Sequence, residues 1–459
     1  MNSRAGFWAK GLANVLGLLM TTCGACMAQS VTISAHAAQS FVDSMGINVH
    51  LEYRVPNAYS YPNHPSINSR LAELGILHIR DEINNTSSSF VNEIQTLYRN
   101  YGITLCGTIE GGGDYPPAGT KLKASAVVSM IARLEPAIDA VEEPNEMDGN
   151  RKDLYNGVGF PQGTINESTD LWNIVKGNSA ISYLPVVMFS FANASNATKI
   201  SATSYMWPNA KYGNLHAYQG GGVCDNGWCK PGGADALTDW YFQFYQNVAA
   251  NDIPWMTEMG YHNITKYQGA DQTGVSPRAS GIYLPEAYCQ AINMGCRRAY
   301  AYELIDEHPD PGLTNTQQHY GILNNDGSPK PAYTALKNLI SLMKEPRQRR
   351  YTPDSLTVTF TGAPSTMEYL LLQKSNGTHY LLLWNDVSVY QPSTDSSAGK
   401  DLYPSKVPVT LNFANNHTFT VYAPNDSSGV NLTTAYTLST KSNSIKINLP
   451  AQLLILKIR

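Results

Sequence analysis

Val141 to Gly149 reads VEEPNEMDG, four carboxyl side chains around one Pro-Asn in a chain whose charged fraction is only 15%. An ionised carboxyl group is a nucleophile or base and a protonated one is an acid, so a pair held in different environments can divide those tasks. Glu146 lies near the end of that stretch, and a second acid, Glu258, stands in WMTEMG. HIRDE supplies Arg80, and HAY supplies His216 and Tyr218: a cation, an imidazole and a phenol, each able to steer the charge of a carboxyl. Glu142 and Glu143 are expected to make structural hydrogen bonds or to face solvent.

Such residues act together only if the fold brings them together. Between residues 42 and 344 short extended runs alternate with amphipathic stretches, the pattern of a parallel sheet with helical crossovers. The extended runs are 43–51, 75–82, 102–110, 138–146, 184–192, 212–218, 253–261 and 298–306. Helices are expected over 89–102, 124–136, 235–252 and 285–295, and a last one capped by Ser328, with Pro329 in its first turn and Leu336, Leu339, Ile340 and Met343 on one face. Eight strand–helix units predict a (β/α)8 TIM barrel; the rival, a doubly wound open sheet, lacks a glycine-rich nucleotide fingerprint after its first strand. In a barrel the chemistry sits at the carboxyl ends of the strands. Glu146 then closes the fourth strand, and Glu258 closes the seventh, where strict alternation puts it on the same side as Met256, with Trp255 and Thr257 facing the helices.

The order of these motifs resembles clan A of the glycoside hydrolases, whose barrels carry an acid/base glutamate on strand four and a nucleophilic glutamate on strand seven. The resemblance implies Asn145-Glu146 as the Asn-Glu pair, Glu258 as nucleophile, Arg80 as the arginine that steadies it, and His216 and Tyr218 as the His-x-Tyr element. Two departures stand out: Pro144 precedes Asn145 where the clan has a proline after the glutamate, and Tyr302-Glu303 occupies the strand-eight position of a tryptophan platform. On this reading a retaining hydrolase cleaves a β-glycosidic bond through two glutamates roughly 5–5.5 Å apart, Glu258 charged and Glu146 protonated, with Asn145 holding the sugar 2-hydroxyl. Trp207, Trp228 and Tyr261 are candidates for stacking on sugar rings, and Tyr302 and Glu303 for lining the substrate site. His216 reads equally well as a buried core histidine. DEHPDPG, with Asp306, Glu307, His308 and Asp310, reads as a solvated rim rather than a metal loop. The alternative from another class is an idle, lectin-like sugar-binding barrel.

After MKEPRQRRYTPD the texture turns to period-two alternation: Leu356, Val358, Phe360; Val409, Leu411, Phe413; Ile445, Ile447, Leu449. This predicts a β-sandwich over 348–459 behind a barrel over 29–347, with a hairpin at Asn376-Gly377. The clan resemblance implies that residues 29–40 can lend the sandwich a strand. Residues 1–28 have the charge, apolar run and small-residue end of a signal peptide, so the protein is expected to be secreted or periplasmic. Cys23 and Cys26 fit a lipid-attachment box poorly, and no apolar run is long enough to span a membrane. Setting those two aside leaves five of the seven cysteines. Cys224 and Cys229 read as a loop staple, Cys289 and Cys296 as a second bridge, and Cys106 as a buried thiol. No metal and no cofactor are expected. A net charge of -4 without a basic run argues against nucleic acid. The clan resemblance implies a carbohydrate partner, and a monomer is expected.

Overall fold

The computed structural model describes residues 28–52, 66–83, 87–109, 121–149, 154–201, 209–222, 254–266, 273–346, 350–393, 397–424 and 433–459. Their strands, in chain order, are β1 (Gln29–Ser34), β2 (His36–Ala37), β3 (Met45–Asn48), β4 (His78–Glu82), β5 (Thr104–Thr108), β6 (Ile138–Glu142), β7 (Val186–Val187), β8 (Gly213–Ala217), β9 (Pro254–Met259) and β10 (Arg298–Ala301). They continue with β11 (Ser355–Thr361), β12 (Met367–Gln373), β13 (His379–Asn385), β14 (Tyr390–Gln391), β15 (Lys400–Asp401), β16 (Val407–Ala423), β17 (Thr433–Leu449) and β18 (Leu454–Ile458).

Strands β3 to β10 form one parallel sheet in the order β7-β6-β5-β4-β3-β10-β9-β8. A parallel bridge between Val187 and Tyr212 joins its two ends and closes the barrel. Each of the eight extended runs read from the sequence contains one of these strands. The helices cover the outside with apolar faces: Ser88–Tyr101 starts where Ser87 accepts the Phe90 amide and buries Phe90, Val91, Ile94 and Leu97.

Two helix expectations change. The helix expected from 285 begins at Pro277, with Ser276 accepting the Ala279 amide; Pro285, which reads as a start, lies inside it. The last helix runs Pro331–Met343 with Lys330 at its cap position, so its first-turn proline is Pro331 and not Pro329. Ser328 instead turns its hydroxyl back to Asp326. The helix expected over 235–252 lies outside the described residues.

The barrel interior is filled by inward side chains. Tyr212 and Trp255 stack at 5.1 Å, and Tyr300 and Cys106 pack with them. Tyr300 needs the bare backbone of Gly46, where a Cβ would stand 2.3 Å from the tyrosine ring. At the floor Asp139 joins Arg298 (3.1 Å), Thr104 (2.7 Å) and His78 (3.2 Å).

The remaining large sheet follows the barrel in the chain and is mixed, mostly antiparallel, in the order β1-β11-β16-β18-β13-β12-β2, with β17 on β16. β1 pairs with β11, so the amino-terminal stretch does lend a strand. Leu371, Leu381, Leu383, Leu456 and Ile458 enclose one core with Val358, Phe360, Leu411 and Ile447. Leu370, Leu372, Leu382, Trp384 and Ile455 turn the other way into the core that holds the barrel helices. Burial on both faces explains the unbroken apolar runs YLLL and LLIL. Gly377, at φ +82°, turns the β12–β13 hairpin. Cys289 and Cys296 are buried and do not bridge to one another: one is inside the helix Pro277–Asn293 and the other follows its end. Cys106 is the buried thiol expected, and Cys224 and Cys229 lie outside the described residues.

Candidate active site

At the carboxyl ends of the barrel strands, Arg80 on β4 is the anchor. Its Nε and Nη2 donate to the two oxygens of Glu142 at 2.7 and 2.8 Å, a bidentate pair between strands two apart in the sheet. Nη1 donates to Glu258 Oε1 at 2.8 Å and to Asn48 Oδ1 at 2.9 Å, and Nη2 also reaches Asn145 Oδ1 at 2.9 Å. Glu142 is therefore the structural acid that fixes the guanidinium. Glu143 is likewise buried and accepts the Phe189 amide.

Glu258 receives Arg80 on one oxygen and the Tyr218 hydroxyl on the other, at 2.6 Å, with His216 Nδ1 at 3.5 Å. Burial alone would raise its pKa, but the charges of His216 and Arg80 and the two hydrogen bonds outweigh it and hold the group below the ordinary carboxylate range.

It reaches that position by a bulge, not by alternation. His216 pairs with Glu258 where Leu215 pairs with Met256, so β9 carries one extra residue at Thr257. Trp255 packs in the barrel interior, and the Thr257 hydroxyl bonds inward to Asn214 and His216. Met256 belongs to the helix-side core. The expected sidedness of Met256, Trp255 and Thr257 is thus reversed, while Glu258 still enters the mouth.

Glu146 stands beyond β6, which ends at Glu142, and not on the strand. Its backbone is left-handed, φ +44°, and its amide donates to Ser190 Oγ at 3.1 Å. A non-glycine residue held there costs on the order of 1–2 kcal/mol. The carboxylate meets His216 Nδ1 at 2.6 Å. Glu146, His216 and Glu258 each offer one atom to a cluster in which all three atoms lie within 4.8 Å of one another.

The network assigns the His216 protons. Asn214 donates to Glu142 and to the Met188 carbonyl, so its oxygen faces Thr257. The single Thr257 hydroxyl proton goes to that oxygen at 2.7 Å, so Thr257 accepts from His216 Nε2 at 3.0 Å. Nδ1 then shares one further proton with Glu146: either the acid carries it beside a neutral ring, or the ring carries it beside a carboxylate. Burial would lower the His216 pKa, but Glu258 and Glu146 outweigh it and raise it.

A cavity of about 240 Å³ opens here, lined among others by Asn48, His50, Asp81, Asn145, Tyr302 and Tyr320. Asn145 Oδ1 accepts from Arg80 and Ser190, which leaves its amide nitrogen to donate into the cavity. Tyr302 lines the cavity with its hydroxyl 3.1 Å from His50 Nε2. Glu303 does not: it is fully buried, 3.5 Å from His50 Nε2, and absent from the cavity lining. Tyr261 is also corrected, since it is 5% exposed, packs on Tyr283 at 5.5 Å and does not line the cavity. Asp306 is no solvated rim either; it is buried on Lys330 at 2.7 Å. Trp207 and Trp228 lie outside the described residues.

Asn48, His50, Ser190 and Tyr320 were missed. Asn48 and His50 follow Gly46 at two-residue spacing, a signal available to a search not confined to acids. Tyr320 touches Tyr218 and Tyr302 edge-on at 5.6 and 5.5 Å from a position outside any strand, with nothing local to mark it.

Fold and site together define a (β/α)8 barrel with paired glutamates at its mouth, followed by a β-sheet domain. Solved glycoside hydrolases share this architecture. A family 39 glycoside hydrolase from Bacteroides cellulosilyticus WH2 aligns with TM-score 0.60 and 13% identity over 92% of this chain and 82% of its own. A glucosidase from Croceicoccus marinus gives 0.55 and 12% over 94% and 99%, and a family 30 endoxylanase from Clostridium papyrosolvens C71 gives 0.51 and 13% over 93% and 97%. No protein-family model and no curated protein sequence matches the chain.

Proposed function

We propose that the protein is a retaining glycoside hydrolase acting on a β-linked oligo- or polysaccharide. One observation supports the reading: Glu146 and Glu258 each bring an oxygen to a cluster whose atoms lie within 4.8 Å of one another, with unlike partners. A separation inside that limit suits direct attack on the anomeric carbon, whereas an inverting pair stands roughly 6.5–9.5 Å apart to admit a water.

Charged Glu258 attacks the anomeric carbon while the glycosidic C–O bond breaks, and the proton held between Glu146 and His216 passes to the leaving oxygen. The glycosyl ester on Glu258 is then cleaved by water, whose proton returns to Glu146, and Glu258 leaves as a carboxylate. Arg80 and Tyr218 keep Glu258 ionised before attack. Asn145 donates to the sugar 2-hydroxyl, an interaction that strengthens as the bond breaks.

Hydrolysis of a β-glycan panel by wild type, Glu146→Gln and Glu258→Gln tests this. Turnover by wild type alone is the expected result. Equal residual activity in all three removes the assignment, and sugar binding without turnover by wild type favours the lectin-like reading.

A further inference from the structure

The two ring nitrogens of His216 have different neighbours. Nδ1 meets Glu146 Oε1 at 2.6 Å, and Nε2 meets the Thr257 hydroxyl at 3.0 Å. What Thr257 offers to Nε2 is decided by the groups behind it. Asn214 turns its amide nitrogen to Glu142 Oε1 and to the Met188 carbonyl, both acceptors and both at 3.0 Å, so its own oxygen is left to accept. That oxygen takes the Thr257 amide at 3.3 Å and the Thr257 hydroxyl at 2.7 Å; Glu142 Oε1, at 3.1 Å from the hydroxyl, is an acceptor as well. Either way the hydroxyl proton is spent, and Oγ1 presents a lone pair to Nε2. Thr257, Asn214 and His216 are all buried, where a donor or acceptor that loses its partner is costly.

We propose that Thr257, oriented by Asn214, is a positioning residue for the proton donor: it holds a proton on His216 Nε2, so that Nδ1 faces Glu146 and the proton between those two is kept for the leaving oxygen. The inference rests on the glycoside-hydrolase reading and adds a residue that serves Glu146. If the shared proton is lost, the neutral ring has two forms. With hydrogen on Nε2, the Nδ1 lone pair stands 2.6 Å from a carboxylate. With hydrogen on Nδ1, the Nε2 lone pair meets that of Thr257 Oγ1, and turning the hydroxyl round to serve it sets Oγ1 against Asn214 Oδ1 with no proton between them. Each form forfeits a hydrogen bond that the protonated pair makes. Removing the Thr257 oxygen relieves the second form, so the shared proton should leave at lower pH.

The charges that face the pair are Glu258, 3.5 Å from Nδ1, with Arg80 and Glu142 behind it. Burial and Arg80 lower the proton affinity of His216, and Glu258 and Glu146 raise it. All of these groups stay in place when Thr257 alone is changed, so variants at that position isolate the hydroxyl.

Nitrogen NMR of isotope-labelled histidine, followed through a pH titration, is the test, with the His216 signals identified by their loss in His216→Gln. In wild type near neutral pH, Nε2 should carry a proton. Thr257→Val keeps the shape and removes the oxygen; its shared proton should be lost at least about one pH unit lower, the size of one hydrogen bond. Thr257→Ser keeps the oxygen and should titrate as wild type does. The basic limb of kcat/KM on an unactivated β-glycan should shift in the same direction in Thr257→Val, whereas damage to packing alone lowers the rate at every pH and leaves the limb in place. A bare Nε2 in wild type, an unmoved titration in Thr257→Val, or an equal shift in Thr257→Ser overturns the inference, and the wild-type spectrum decides if Thr257→Val fails to fold. The titration needs no substrate: absence of turnover by wild type sinks only the hydrolase reading, and turnover with an unmoved titration sinks only the role of Thr257.

Discussion

Glu146 and Glu258 are identical side chains made unlike by their neighbours. Glu258 takes donors from Arg80 and Tyr218, whereas Glu146 faces an imidazole nitrogen with a proton to share. Glu146→Gln should lower kcat/KM by about 10²–10⁴-fold on an unactivated glycan and far less on an aryl glycoside, whose leaving group needs no proton. Steady-state kinetics on the two substrates check this. Tyr218→Phe removes a hydrogen bond that favours charged Glu258, so its pKa should rise toward the ordinary value. The acidic limb of the kcat/KM profile should then move to higher pH; an unmoved limb would mean that Tyr218 does not tune the nucleophile. At this scale the sequence was legible for the gathering of Arg80, Asn145, Glu146, His216, Tyr218 and Glu258 at one barrel mouth, because each lies on a barrel strand or shortly past one. Glu303 and Tyr261 misled because exposure depends on chain segments distant in sequence.

Among elements, the bulge in β9 does what alternation cannot: Thr257 bonds into the interior and the next residue, Glu258, still reaches the mouth. Apolar period and turn residues predict the eight strands, but a bulge leaves that pattern intact, so the side to which Glu258 turns was right for a wrong reason. Gly46 shows the packing consequence of an inward tyrosine. Gly46→Val drives a side chain into Tyr300, which should cost at least about 1–3 kcal/mol, and Tyr300→Leu in the same chain should restore part of it. Denaturant midpoints of the two variants decide. At the floor, burial would raise the Asp139 pKa, but the His78 hydrogen bond and the Arg298 charge hold it at about 2. A depressed carboxyl contributes stability above its unfolded pKa of about 3.9, and the contribution fades as pH falls toward 2. Asp139→Asn should therefore cost about 1–3 kcal/mol at neutral pH and little at pH 2, measured by melting at both.

Across the whole molecule, barrel and β-sheet domain share one core. Leu370, Leu372, Leu382 and Trp384 belong to the cluster that holds Tyr333, Leu336 and Leu339 of the last helix, and β1 crosses from the amino terminus to pair with β11. The period-two texture announced the second sheet, but nothing in it showed that one face packs on the barrel. A single calorimetric transition is expected for the chain, and two separated transitions would contradict a shared core.

The most direct test of the central claim is the anomer first formed on hydrolysis of a β-linked substrate, read by proton NMR before mutarotation. Two carboxyl oxygens within a 4.8 Å cluster predict the β-anomer through a glycosyl ester on Glu258. Initial release of the α-anomer would contradict the account, since inversion requires carboxyl groups far enough apart to seat a water between them and the sugar.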